Sequence, residues 1–355
     1  MAPSFCRHNR FIQRCPICRE TVPGYEESHG PAKSRRESGR TASSGGAAQG
    51  IAGASGGGGA RAAKRSGRSP HARSSAHALR VRREQRFLDD GYRCELAPGL
   101  RSSEDARRFA EEVGFAAARL AALAAEPPSL YAQARDEDDL EQAVWICFLA
   151  AYLSPSQDEN SFEGIRRALA CDWRSGELPD LVDVPLGPRS SHDQARGVQT
   201  LQAYRRFAEH AGSQQRAFAG EPEWSPQRRF ERVFERLALP GFGRVGRFDL
   251  LLTLGGLGLF DLEADSLHLA TRTPGSVHPD PTPEAAKRMF GIGDQLLLER
   301  RALTLADALQ IPIGTLDLAL WNWAAGPGGE RATIGFDARC GDEPTVQRTL
   351  AALGL

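Results

Sequence analysis

Leu239-Pro-Gly-Phe-Gly-Arg244, followed by the apolar Phe248-Asp-Leu-Leu-Leu-Thr-Leu254 and then by Glu263-Ala-Asp265, is the stretch on which the reading of this chain turns. It predicts a helix, a tight glycine turn, a second helix and a carboxylate beyond it. Gly241 and Gly243 bracket Phe242, and two glycines at that spacing permit positive φ and close approach of a ligand to the backbone. The turn opens a helix, whose free N–H groups and dipole favour an anion. Arg244 and Arg247 sit at its start, and Arg228, Arg229, Arg232 and Arg236 recur upstream at helical spacing, against only Glu231 and Glu235. Such a local excess of positive charge is the footprint expected for a nucleic-acid backbone. The same residues also suit an ordinary glycine cap between packed helices, with the arginines on a solvated face.

The whole chain of 355 residues carries no net charge, 45 basic against 45 acidic side chains. The balance hides an asymmetry: residues 1–86 carry a net +12 and the remainder a net −12. A basic tail on an acidic body suggests that the tail helps hold nucleic acid, and it restricts any contact made by the body to a local patch. The first residues, Met1-Ala-Pro-Ser-Phe-Cys-Arg7, have no apolar leader core. The longest apolar run, Leu250 to Phe260, contains Thr253 and three glycines and is too short to span a bilayer. Seven cysteines, an odd number, fit a reducing cytosol better than a disulfide scaffold. The expected location is the cytoplasm, in association with the nucleoid.

Cys6-Arg-His8 and Cys15-Pro-Ile-Cys18 give the spacing C-x-H-x6-C-x2-C. Three thiolates and one imidazole form a closed tetrahedral zinc set, structural rather than catalytic. So short a segment would draw most of its folding energy from the metal. Residues 1–24 are therefore expected to be a zinc-binding knuckle held by Cys6, His8, Cys15 and Cys18. Residues 25–85, rich in Gly, Ala, Ser and Arg and including Gly56-Gly-Gly-Gly59, are expected to be a disordered linker. The body, residues 86–355, is expected to be all-α. Its helices are predicted from a Ser103 cap through Leu120, over Asp139 to Leu153, Asp193 to Phe218, Glu284 to Phe290 and Leu296 to Leu309. A last helix runs from Leu316 to Trp323 behind Thr315. Residues 174–192 read as a loop, and no strand-like alternation is evident.

The order helix, Leu-Pro-Gly-Phe-Gly turn, helix and aspartate resembles the helix-hairpin-helix of the DNA glycosylase superfamily, here at about 226–256. Leu153-Ser-Pro-Ser-Gln157 resembles a turn of the same superfamily. More specifically, three segments resemble the alpha-glutamyl/putrescinyl thymine pyrophosphorylase family, third clade. They are the head beginning Phe5-Cys-Arg-His-Asn-Arg10, the stretch Phe234-Glu-Arg-Leu-Ala-Leu-Pro-Gly-Phe242, and Arg247-Phe-Asp-Leu-Leu251.

The resemblance implies a two-lobed helical body that receives a flipped base of double-stranded DNA. The hairpin (Gly241, Phe242, Gly243, Arg244, Arg247) would hold a DNA phosphate, and Asp265 would be the catalytic carboxylate, with Glu263 in reserve. Val245 stands where lyase-type glycosylases carry a Schiff-base lysine, which argues against a covalent imine. The implied reaction displaces pyrophosphate from a 5-(pyrophosphoryloxymethyl)uracil in DNA by an amine such as glutamate or putrescine. Excision of a modified base by a monofunctional glycosylase, or DNA binding without catalysis and with Asp265 as a helix cap, are the alternatives.

Further candidates are His192-Asp193 and His268 for proton transfer, and Lys287 with Arg288 beside Gly291-Ile-Gly293 for a phosphate. Trp321-Asn-Trp323 suits either a base pocket or the core.

Overall fold

The computed structural model describes residues 87–271 and 279–355, and all regular structure among them is helical. The zinc head (Cys6, His8, Cys15, Cys18) and the linker over 25–85 lie outside the described residues. The first helix, α1, spans Ser103–Ala125, with Ser102 rather than Ser103 as its cap: the Ser102 side chain accepts from the Asp105 amide. Pro127-Pro128 separates it from α2, Ser129–Asp136. Asp139 caps α3, Leu140–Leu153, in which every residue from Ala143 onward is buried. A helix apolar all round belongs at the centre of a fold, and α3 occupies that place.

The short α4, Glu163–Ala168, leads into the loop expected over 174–192. The predicted polar helix over 193–218 is two helices, α5 (Gly197–Ala211) and α6 (Gln214–Ala219). The break falls at Gly212, which takes the left-handed conformation, and Ser213 then caps α6. α7 spans Pro226–Arg236 and α8 spans Arg244–Gly256. α9 is Thr282–Phe290, α10 is Gln295–Leu309 behind an Asp294 cap, and α11 is Gly314–Ala324. Thr315 does not cap α11: it lies inside the helix, its hydroxyl buried. α12, Glu343–Leu353, is capped by Asp342 and ends the chain.

α1 packs along α11 and α12, while α3 packs against α8 and α2. The aromatic centre runs from Trp145, Phe148 and Tyr152 of α3 to Tyr204 of α5, with the Phe148 and Tyr204 rings 3.6 Å apart and stacked. Each fully buried large apolar side chain contributes about 1.5–3 kcal/mol, so this cluster fixes α5, and with it the turn ahead of α8, on α3. No single described helix is long and apolar enough to cross a membrane.

Candidate active-site cavity

The chain reverses direction between α7 and α8 where the sequence predicts it. Ser225 caps α7, Pro226 opens it, and Phe230, Val233 and Phe234 form its buried face. Gly241 has φ +76, and a Cβ there would come within 2.4 Å of the Thr200 hydroxyl. Thr200, on α5, also donates to the Pro240 carbonyl at 2.8 Å. Glycine is thus required at 241 by its backbone angle and by the close packing of α5. Gly243, with φ −73 and ψ 177, is extended and takes an angle open to any residue.

Three of the hairpin side chains point inward. Phe242 is fully buried between Phe148, with centroids 5.3 Å apart, and Tyr152. It anchors the turn to α3. Arg247 is buried, stacks on Phe234 and donates to the Phe234 and Gly243 carbonyls. Burial, with a smaller contribution from Arg244, lowers its pKa to about 10. Arg244 is also buried and belongs to an internal ion network. Both arginines therefore hold the hairpin together from inside. The arginines that reach solvent are Arg228, Arg232 and Arg236, one turn apart along α7. Arg228 and Arg236 both pass over the Trp224 ring, and Arg232 pairs with Glu235 at 3.1 Å.

The network joins four distant parts of the chain. Arg189 donates Nε and Nη2 to the two oxygens of Asp249 on α8, each at 2.8 Å, and Nη2 also to Asp317 on α11 at 2.6 Å. Arg244 reaches the other oxygen of Asp317 at 2.7 Å, both oxygens of Asp280, and the Leu267 carbonyl at 2.9 Å. Burial alone would push the Asp317 carboxyl up, but Arg244 and Arg189 outweigh it and hold its pKa below the usual carboxylate value.

Arg189 comes from the 174–192 loop. That loop docks on the end of α3 through the Gly187 amide, which donates to the carbonyls of Leu153 and Ser154. Gly246 of α8 makes room for the same loop, because a Cβ there would meet the Ser191 hydroxyl and the Phe242 ring, each at 2.6 Å.

Beside the network lies a cavity of about 470 Å³. One wall is the start of α8, Gly243 to Val245, and another is the loop carrying Arg189, Ser190 and Ser191. Lys287 and Glu284 of α9, Asp280, and Trp321 of α11 complete the polar and aromatic lining. Trp321 faces Arg189, whose guanidinium carbon lies 4.7 Å from the ring centre, whereas Trp323 is core. The Trp-Asn-Trp segment thus divides between the pocket and the core, as helical geometry requires of residues two apart.

The segment following α8 is rigidly held. Glu299 of α10 accepts from the Leu267 and Leu269 amides at 2.8 and 2.6 Å, and burial pushes its carboxyl pKa up. Leu269 and Thr271 continue into the cavity wall. Asp265 is exposed on this segment and lies outside the cavity lining. No helix follows Asp265, so the alternative in which it serves as a helix cap is not borne out. Glu263 is tied to Gln227 at 2.7 Å. Among the described residues no group of three or more His, Cys, Asp or Glu is arranged to hold a metal ion.

His268 sits in the left-handed region at φ 52, its ring stacked on Phe234 with centroids 3.9 Å apart. Burial first, then repulsion from Arg244 and Arg247, lowers its pKa from 6.5 to about 4. Proton binding therefore favours the unfolded chain. The stabilisation is fully present above pH 6.5 and is lost as pH falls from 6.5 toward 4. At about 1.4 kcal/mol per pH unit the loss reaches up to about 3 kcal/mol. Urea unfolding should show this limb in the parent, and His268→Phe, which keeps the ring stack, should flatten it. An unchanged limb would assign the acid sensitivity to other groups. His192, expected as a proton carrier, is buried with Nδ1 3.0 Å from the Tyr152 hydroxyl, and serves the core.

Residues 189–328 match the family described as alpha-glutamyl/putrescinyl thymine pyrophosphorylase, clade 3. Over this segment the chain is similar to that family. That family is named for a thymine pyrophosphorylase activity, and the name implies an amine co-substrate. Neither a curated protein nor a solved structure matches the chain. The matched segment begins at Arg189, the first residue of the ion network, and ends just beyond α11.

Proposed function

We propose that this protein exchanges the pyrophosphate of a 5-(pyrophosphoryloxymethyl)uracil in DNA for an amine, with the flipped base received by the cavity beside α8. The observation that carries the reading is that every described residue lining the cavity falls within the matched segment, 189–328. The volume lies within the roughly 300–1,000 Å³ of small-molecule sites. Trp321 supplies an aromatic face of the kind on which extruded bases stack.

In the reaction the amine nitrogen lone pair forms a bond to the exocyclic methylene carbon. The carbon–oxygen bond breaks, its electron pair leaves with pyrophosphate, and the amine loses a proton to a carboxylate. Asp265 is proposed as that base. It is exposed on the held segment that leads into the cavity wall, and no described residue binds it. Glu284, on the cavity wall and paired with Lys287 at 2.6 Å, is the competing carboxylate. The helix–turn–helix of α7 and α8 supports a glycosylase-like, two-lobed body. The test is mass spectrometry of nucleosides from pyrophosphorylated DNA treated with the protein and glutamate or putrescine. An aminated thymine supports the proposal; a free base or an abasic site would replace it by excision, and unchanged DNA by binding without catalysis.

Duplex DNA is proposed to meet the protein through the α7 row, Arg228, Arg232 and Arg236, with the amides of Gly241 and Gly243 at the hairpin. Triple replacement by Gln should weaken binding evenly across sequences and lower the salt slope by roughly 0.9 for each phosphate that is no longer neutralised. With residues 25–85 deleted, residual binding should still depend on this row. A salt slope unchanged by the triple variant would place the interface elsewhere.

Cys6, His8, Cys15 and Cys18 are proposed to hold one structural zinc. Elemental analysis should find about one zinc per chain, and a Cys15→Ala, Cys18→Ala double variant should lose it. Zinc retained in that variant would remove the assignment.

A further inference from the structure

We infer that the inner end of the cavity is a phosphate-binding subsite, in which the start of α8, Arg189 and Lys287 hold the pyrophosphate group of the substrate. The inference rests on the pyrophosphorylase reading and assigns the leaving group to named donors.

α8 is a 13-residue helix whose N-cap, Gly243, offers no side-chain acceptor to the first-turn amides. Gly243, Arg244 and Val245 line the cavity. Free first-turn N–H groups with the helix dipole behind them favour an anion.

Arg189 points independently to the same ligand. It lines the cavity with its side chain fully buried. Its Nε and Nη2 are taken by Asp249 and Asp317, while Nη1 has no hydrogen-bond partner in the described structure. A buried donor without an acceptor costs about 1–3 kcal/mol, and an oxyanion at that nitrogen removes the cost through a charge-assisted bond. Lys287, on the α9 part of the lining and half exposed, adds a cation that is paired with Glu284 at 2.6 Å.

The fixed charges of the network cancel, because the buried Arg189, Arg244 and Arg247 stand against the buried Asp249 and Asp317 and the part-buried Asp280. The anion is therefore held by directed N–H groups and not by net charge. A DNA-backbone phosphate offers the same chemistry, but it is a diester flanked by sugars and needs an open surface. A pyrophosphate is a terminal group that enters a concave cavity.

The test is titration of the full-length protein with inorganic pyrophosphate, read by calorimetry and by tryptophan fluorescence, since Trp321 stacks on Arg189. Binding should saturate and tolerate added salt, with a fluorescence change that Trp321→Phe abolishes. Lys287→Ala, at an exposed position, should weaken it several-fold. Arg189→Lys keeps the charge facing the two aspartates but loses the free N–H, and should weaken it by about tenfold or more. If Arg189→Lys does not fold, Lys287→Ala and the fluorescence of Trp321→Phe decide the matter.

Absence of saturable binding, binding unaffected by Lys287→Ala and Trp321→Phe, or displacement of pyrophosphate by unmodified duplex DNA overturns the subsite. Pyrophosphate release from modified DNA without these effects keeps the reaction and discards the subsite. Binding with all these effects but no turnover keeps the subsite and discards the reaction.

Discussion

Asp317→Asn is expected to destabilise the protein by about 3–5 kcal/mol, the range for removing one partner of a buried ion pair. The side chain is 1 % exposed and is shared by Arg189 and Arg244, so its neutralisation leaves two buried guanidiniums short of an acceptor. Chemical denaturation should show a large fall in midpoint. Asp265→Asn, at an exposed position on the segment beside it, should leave the midpoint unchanged. The network should also fail in acid. A carboxyl with a depressed folded pKa contributes stability that is complete above its unfolded value, here 3.8, and is lost as pH falls through the lower folded value. This loss lies below the pH 4 to 6.5 window of His268, so acid unfolding of the parent should proceed in two limbs. Parental stability of Asp317→Asn would show that the arginines find other acceptors.

Turnover should fall by roughly 10²–10⁴ in Asp265→Asn, the range for a lost acid–base group, while folding and DNA affinity stay at the parental level. The asparagine keeps the size of the side chain and removes its basicity. Glu284→Gln should have the smaller effect on the rate constant at saturation. The reverse order of the two variants would move proton transfer to the cavity wall. Borohydride should trap no protein–DNA adduct, because Val245 at the start of α8 cannot form an imine. A trapped adduct would identify another amine as nucleophile and discard direct displacement.

The local structure of the hairpin region was readable because it is written in neighbouring residues. Ser225-Pro226 and the Phe230, Val233, Phe234 spacing define α7, Pro240-Gly241 marks the turn that follows it, and the apolar run from Phe248 defines α8. The all-α body and the loop over 174–192 follow from the same short-range signals. Caps were less legible. Ser102 and Ser103 are chemically alike, and Thr315 resembles a cap until the helix is seen to begin before it. The helix after Asp342 was missed although Asp342-Glu343-Pro344 is a regular start, and the break at Gly212 was read through as continuous helix.

What only the tertiary structure decided is the direction each arginine faces. The sequence alone determined that arginines cluster around the turn and that the segment resembles a thymine pyrophosphorylase. It could not say that Arg244 and Arg247 are internal while Arg228, Arg232 and Arg236 are exposed. Nor could it pair Arg189 with Asp249 and Asp317, which lie 60 and 128 residues away along the chain. Helical periodicity reports which residues share a face, but whether that face meets water or a carboxylate depends on what packs against it. Burial makes the difference large: a guanidinium removed from water must find fixed acceptors, and those acceptors come from parts of the chain that only folding brings together.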